Sequence, residues 1–207
     1  MVSTSTRRNC LVGILALVLI VSVGLNVYDH FITIPKMQAT INTMRIHALD
    51  SWLGEMSVAA FILEKAVTHD DFRQVEICLN NAAPSVEALQ AGINTDTTSL
   101  YYWIHMATDS LRYSVEQIQF LIAEALKYVN PSPLDQQILL KIENVTRAIR
   151  NLLDSLSGSR ILDPWTSIQA DPVQYLRDEG KLTDAVNYCR QIHENSIDLG
   201  YYVRDKL

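Results

Sequence analysis

The chain has 207 residues, of which 48% are hydrophobic and 19% are charged. Seven glycines and six prolines are few for this length, which argues against a low-complexity chain and against a turn-rich all-β domain. A net charge of −6 argues against a nucleic-acid partner, because proteins that grip phosphates do so through a basic face. Three cysteines are too few for a scaffold built on disulfides.

An uncharged apolar segment near the N-terminus predicts a membrane span. No residue from Cys10 to Leu25 is charged, and extension of the segment to Tyr28 gives about 28 Å of helix, close to the thickness of the hydrocarbon core. Arg7 and Arg8 stand directly before it. The positive-inside rule therefore predicts a cytoplasmic N-terminus and an extracytoplasmic remainder.

A cleaved signal peptide is the alternative interpretation, because Ser22-Val23-Gly24 offers small residues at the −3 and −1 positions of a cleavage site. Either outcome places the remainder outside the cytoplasm. The predicted organisation is a cytoplasmic tail over residues 1–9, a transmembrane signal anchor over 10–31 that contacts the bilayer through 10–28, and an extracytoplasmic domain over 32–207.

Beyond the anchor, apolar residues recur at steps of three and four, which is typical of amphipathic helices. Long helices are predicted over residues 36–67, 97–129, 134–156 and 181–205. The first carries an apolar stripe that begins at Met37, Ile41 and Met44. The predicted fold class is all-α: one N-terminal transmembrane helix, then a bundle of about four long helices with short connecting helices.

Three short connecting helices are predicted from capping residues and prolines. Asp70 or Asp71 can cap one that ends near Asn81, and Ser85, after Pro84, can cap a second. A third is predicted from Asp171-Pro172 to Asp178, ended by Gly180.

Two features predict how the long helices pack. The short break at Asn130-Pro131-Ser132-Pro133 predicts that the helices on either side are antiparallel neighbours. The last helix has a heptad seam of the coiled-coil type, in which Ala185 and Ser196 are small enough for close approach. The seam consists of Leu182, Ala185, Cys189, Ile192, Ser196, Leu199 and Val203.

Motifs for catalysis and cofactor binding are missing from the sequence. It has no Gly-x-Ser-x-Gly, no phosphate-binding glycine loop, no Cys-x-x-Cys and no Glu-x-x-His. His105 with Asp109, and His47 with Asp50, supply two metal ligands each, fewer than a site needs. We therefore predict no enzyme activity, no metal and no cofactor.

Two cysteines and one sequon lie in the predicted external part. Cys78 and Cys189 could form a disulfide there, or remain two buried free thiols, since Cys189 belongs to the heptad seam. Asn144-Val145-Thr146 matches the N-glycosylation sequence.

Aromatic clusters are the candidate contact surface for a partner or a ligand. Consecutive helical residues point in different directions, so at least one ring of each cluster should be exposed. The residues are Tyr101, Tyr102, Trp103, Trp165, Tyr201 and Tyr202.

Three functions are compatible with these features. The first is a membrane-anchored, non-enzymatic interaction or scaffold protein of the cell envelope, which binds another envelope protein or itself. The second is an extracytoplasmic ligand-binding sensor or accessory subunit, with a pocket between helices near Tyr101–Trp103 and Trp165. The third and weakest is a metal-dependent enzyme built from His47, His105 and Asp109.

Overall fold

The computed structural model describes residues 4–90, 99–127, 134–159 and 171–207, and for residues 4–12 the backbone alone. These ranges are helical with short turns and contain no strand, which confirms the predicted all-α class. The elements are α1 (Thr4–Tyr28), a π-helical turn (Asp29–Thr33), α2 (Ile34–Leu63), α3 (His69–Gln90), α4 (Leu100–Lys127), α5 (Gln136–Leu156), α6 (Pro172–Asp178) and α7 (Leu182–Arg204).

The chain divides into two compact units, Met1–Asn42 and Thr43–Leu207. In the first, α1 passes through the π-helical turn into α2 without a break. We predicted a new helix at Pro35, and instead the helix continues across it. The π-helical turn lies just before Pro35, whose missing N–H interrupts the regular ladder of hydrogen bonds there.

The apolar side chains of α1 are exposed on every face of the helix. From Ile14 to Tyr28 the large apolar side chains are 50–69% exposed. Among the described residues, one helix is long and apolar enough to cross a membrane, and it begins with this segment. This agrees with the predicted span.

The core of the second unit is formed by the apolar faces that the sequence periodicity identified. The apolar residues that recur at steps of three and four are buried from Leu100 to Ile122 in α4, from Ile138 to Leu156 in α5 and from Ala185 to Val203 in α7. Leu182, at the start of the α7 seam, is partly buried.

The apolar stripe of α2 is covered over only part of its predicted length. Met37, Ile41 and Met44 are exposed, and the buried face begins at Ala48. The helix ends at Leu63, four residues before the predicted end. Periodicity locates an apolar stripe on a helix, but it does not say how much of that stripe another helix covers.

The second unit has one more long helix than predicted. We expected two short helices with a break at Pro84, whereas α3 runs unbroken from His69 to Gln90 with Pro84 inside it. Its buried face continues through the proline, with Ala82 before it and Val86 after it. Burial of this face outweighs the backbone hydrogen bond that Pro84 removes.

The start of α3 is stabilised by a capping box rather than by a simple aspartate cap. The Asp71 carboxylate accepts hydrogen bonds from the backbone N–H of Val67 (3.0 Å) and of Thr68 (2.8 Å). The Thr68 hydroxyl in turn accepts from the Asp71 N–H at 3.2 Å. These contacts lower the pKa of Asp71. The predicted caps, Asp70 or Asp71, are thus replaced by Thr68 with Asp71 as its partner.

Helix α7 is the main packing partner of both α4 and α5. Trp103 of α4 lies against His193, and Tyr113 lies against Tyr201, so α4 and α7 run parallel. The closest approaches are those of α7 with α4 and of α7 with α5, rather than the predicted one of α4 with α5. A short connection sets the relative direction of two helices, but a later helix can still take the place beside each of them.

The contacts of α5 with α7 have the opposite order. Asp135, which caps α5, pairs with Lys206 at 2.6 Å, and the Asn195 side chain donates to the Asn144 carbonyl at 3.4 Å. Helices α5 and α7 are therefore antiparallel. Gly180, at a φ of +72°, allows the sharp turn between α6 and α7.

Candidate functional site

Helices α4 and α7 together form a surface that we call the aromatic patch: Tyr102, Trp103, Arg190 and His193. The guanidinium carbon of Arg190 lies 4.8 Å from the centre of the Trp103 ring. The Tyr102 and His193 rings pack against the same indole, at 5.3 and 5.9 Å between ring centres. His193 Nδ1 lies 3.2 Å from the Met106 carbonyl oxygen, and this contact orients the imidazole.

The Trp103 indole has one polar atom that is buried beneath the aromatic patch. Its Nε1 is buried and has no hydrogen-bond partner among the described residues. A buried indole N–H ordinarily finds an acceptor. Because Nε1 is buried, a bound molecule can bring it an acceptor only if the side chains that cover it move aside.

Tyr101 belongs to the core and not to this surface. Its side chain is buried, and its hydroxyl donates to Asp171 Oδ1 at 3.0 Å. Arg45 pairs with Asp171 Oδ2 at 2.6 Å and lies over the Tyr101 ring. Burial, followed by the neighbouring Asp171 carboxylate, raises the pKa of Tyr101, so its hydroxyl stays a neutral donor. These contacts join α2, α4 and the start of α6.

Tyr201 and Tyr202 lie in two separate environments. Tyr201 is exposed, with its ring against Tyr113 and under the guanidinium of Arg204. Tyr202 is half-buried, and its hydroxyl donates to Asp135 Oδ2 at 3.2 Å. As helix geometry requires, each aromatic cluster places its rings in different surroundings, and neither tyrosine reaches the aromatic patch. Trp165 lies outside the described residues.

Asp135 connects the start of α5 with the end of α7. Besides Tyr202, it accepts a hydrogen bond from the Ile138 N–H at 2.8 Å and pairs with Lys206. The bond from Lys206, followed by that from Ile138, lowers the pKa of Asp135. Because the folded pKa is below the unfolded value of about 3.9, the stabilisation is present above that pH and is lost as the pH falls through the folded pKa.

We expect Asp135→Ala to lower the free energy of unfolding by about 1 kcal/mol at pH 7, the usual effect of a lost helix cap. The difference from the parent should shrink as the pH falls below about 4, because the unfolded carboxylate then binds a proton that the folded carboxylate, with its lower pKa, does not yet bind. Urea unfolding at pH 7 and at pH 3 measures both values. Asp205→Ala, near the same end of α7, is the control, and a difference that is independent of pH would contradict the capping role.

The two cysteines of the second unit are buried free thiols. This is the second of the two alternatives that the sequence left open. Cys78 lies on α3 and Cys189 on the buried seam of α7. Burial raises the pKa of both thiols, and for Cys78 the nearby Glu55 raises it further. Neither sulfur is therefore in the reactive thiolate form at neutral pH.

We expect both thiols to react only when the domain unfolds. In a Cys10→Ser background without reductant, a thiol-reactive dye should label almost nothing in the native state and two sites per chain in denaturant. One fewer labelled site would mean modification of one thiol, and no labelling in denaturant would mean a disulfide.

The sequon lies inside a helix. Asn144 is half-buried at the α5–α7 contact, and the Thr146 hydroxyl is buried and donates to the Ile142 carbonyl. A glycan needs an exposed side chain, so this position is a poor acceptor once the chain has folded.

The predicted metal ligands do not assemble into a larger group. His105 Nε2 lies 3.3 Å from Asp109 Oδ2, and Arg112 occupies the other carboxylate oxygen at 2.9 Å. In the described parts of the chain, no three His, Cys, Asp or Glu side chains come together as a metal site would require.

A cavity of about 270 Å³ lies between α5 and Glu64, which directly follows α2. Its charged lining is already paired, Glu64 with Arg150 and Glu143 with Arg147. It contains none of the predicted aromatic ligand-binding residues.

Sequence reasoning missed four residues: Arg45, Asp171, Arg190 and His193. The spacing of Arg190 and His193 places both on one face of α7. Nothing local indicates that this face meets Trp103, because the contact depends on how α7 lies along α4.

Comparisons with known proteins found no matching family model and no significantly similar curated protein or solved structure.

Proposed function

We propose that this protein is a membrane-anchored, non-enzymatic interaction protein of the cell envelope. The observation that carries the proposal is the exposed apolar helix from Ile14 to Tyr28, joined to a second unit with its own core. An apolar helix with no polar face is stable in lipid and costly to expose to water.

In this proposal the N-terminus is cytoplasmic and the second unit lies outside. The support is the charge distribution around the helix: Arg7 and Arg8 precede it, and Asp29 follows it. Basic residues are retained on the cytoplasmic side during insertion.

Accessibility of single cysteines to a reagent that does not cross membranes tests this orientation. In a Cys10→Ser background, Ser51→Cys should be labelled in intact cells, because Ser51 is exposed on α2. Ser5→Cys should be labelled only after the membrane is opened. The reverse pattern would overturn the orientation, and recovery of the intact chain in the soluble fraction would overturn the membrane anchor.

The aromatic patch is the surface that we assign to a partner protein of the envelope. Trp, Tyr and Arg are the residue types that contribute most to protein interfaces, and the aromatic patch contains one of each. Arg190 already lies over the indole of Trp103, so its guanidinium can contact a partner without moving.

The test is capture of partners from solubilised membranes with the full chain as bait. The Trp103→Ala/Arg190→Ala variant should lose a partner that the parent retains, by roughly tenfold or more, as expected for a hot spot. Phe120→Ala is the matched control, because Phe120 is 60% exposed on the same helix, away from the patch residues. Equal capture by all three proteins would reject the patch as the contact surface.

A ligand-binding sensor or accessory subunit is the second candidate, favoured by the unpaired Trp103 N–H, which a ligand would reach by displacing the side chains that cover it. A small molecule with a hydrogen-bond acceptor would then bind at the patch and stabilise the fold in proportion to its concentration over its dissociation constant. A thermal-shift screen on parent and Trp103→Phe distinguishes the two candidates. If a ligand raises the melting temperature of the parent but not that of Trp103→Phe, the result would support the sensor function.

A further inference from the structure

Four apolar residues of α2 form a seam that is left uncovered in the structure. Ile34, Met37, Ile41 and Met44 follow one another at steps of three, four and three. Their side chains are 47%, 59%, 40% and 63% exposed. We call these four residues the α2 seam. A spacing that averages 3.5 residues is the pattern by which one helix packs along another in a left-handed coiled coil.

The flanking positions of the α2 seam carry no charge between Ile34 and Ile41. Thr33, Gln38 and Thr40 occupy these positions, which in a two-stranded coil face the partner helix. Arg45 flanks Met44, but its guanidinium is already paired with Asp171, and Lys36 lies outside the flanking positions. Two identical helices can therefore approach along this face without repulsion between like charges.

The bilayer cannot cover the far end of the α2 seam if the span ends at Tyr28. Ile41 comes thirteen residues after Tyr28, so it lies roughly 20 Å beyond the span. Lipid can reach Ile34, whereas Ile41 and Met44 must face water or protein. This step rests on the proposed function, because it takes the membrane anchor as given.

We propose that the occupant of the α2 seam is a second copy of this chain, in a parallel, in-register, two-stranded coiled coil over Ile34–Met44. The anchor inserts every copy in the same direction, which makes a parallel arrangement the natural one. Ile34 and Ile41 take the alternate seam positions at which β-branched residues favour two strands. A coil this short is marginal in solution, and confinement to a membrane raises the effective concentration that it needs.

Cysteine cross-linking of the full chain in membranes tests the proposal. In a Cys10→Ser background the remaining cysteines are buried, so cross-links report the introduced residue. Under mild oxidation Met37→Cys, Ile41→Cys and Met44→Cys should each form a dimer. The matched control is Ala39→Cys on the opposite side of the helix, for which we expect roughly tenfold less dimer.

A charge on the α2 seam provides an independent variant. Ile41→Asp should abolish dimer formation through Met37→Cys, whereas Lys36→Asp should leave it unchanged. Because Ile41 is exposed in the single chain, Ile41→Asp should not change the melting temperature of the domain.

Each other outcome has a distinct meaning. Equal cross-linking at Ala39 and at the seam positions, or none at any of them, would overturn the second copy as occupant. Cross-linking to a product of a different mass would also overturn it, while leaving the proposed interaction function intact. A chain that is absent from the membrane fraction would overturn the proposed function itself.

Discussion

Trp52→Ala should be among the most destabilising single substitutions in this protein, lowering the free energy of unfolding by about 3–5 kcal/mol. Trp52 is fully buried, and its indole Nε1 donates to Thr108 Oγ1 at 2.9 Å, which connects α2 with α4. The alanine leaves a large cavity, but Thr108 keeps a partner because its hydroxyl donates to the Ile104 carbonyl at 2.8 Å. The cost is therefore mainly lost packing.

Thermal unfolding should show the change as a fall in Tm of roughly 10 °C or more for a domain of this size. The matched control is Phe61→Ala on the same helix. Phe61 is 60% exposed and contacts Lys65, so its loss should cost less than about 1 kcal/mol. Equal falls in Tm for the two variants would show that α2 is not packed as the structure has it.

Gly200→Ala should destabilise the protein by about 1–3 kcal/mol, although alanine is the better helix former. A Cβ atom at Gly200 would lie 2.7 Å from Tyr113 Cε1 and 3.2 Å from Ser114 Oγ. The Tyr113 ring is also held by Tyr201. Helix α7 or the ring must therefore move at this contact between α4 and α7.

Gly54→Ala should have the opposite effect and raise the free energy of unfolding by about 0.5–1 kcal/mol. Gly54 is also inside a helix, but a Cβ atom there meets nothing within 4 Å. Urea unfolding of both variants measures the difference. Combining Gly200→Ala with Tyr113→Ala should remove the penalty at Gly200, and persistence of that penalty would contradict the steric explanation.

Which helix faces are buried could be predicted from the sequence, because burial of apolar area imposes a period on the residues that provide it. The heptad seam of α7, from Ala185 to Val203, is buried as predicted. The same reasoning failed at Pro84, where a strong local signal against helix was outweighed by the packing of α3. Local signals of this kind are weak compared with the burial of a whole helix face.

The aromatic patch could not be predicted, since no local pattern relates Trp103 to Arg190 and His193. Trp103 itself was a candidate, because three consecutive aromatic residues on one helix must leave some ring near the surface. Its neighbour Tyr101 was a candidate for the same reason, and the structure places it in the core with Asp171.

The order of apolar and charged residues by itself determined that this chain is helical and that residues 10–28 match the thickness of a bilayer, because both properties depend on neighbours along the chain. Only the tertiary structure decided that α7 packs against both α4 and α5, that Trp103 contacts Arg190, and that the α2 seam stays uncovered. Those features depend on contacts between residues far apart in sequence, whose free energies compete over the whole fold.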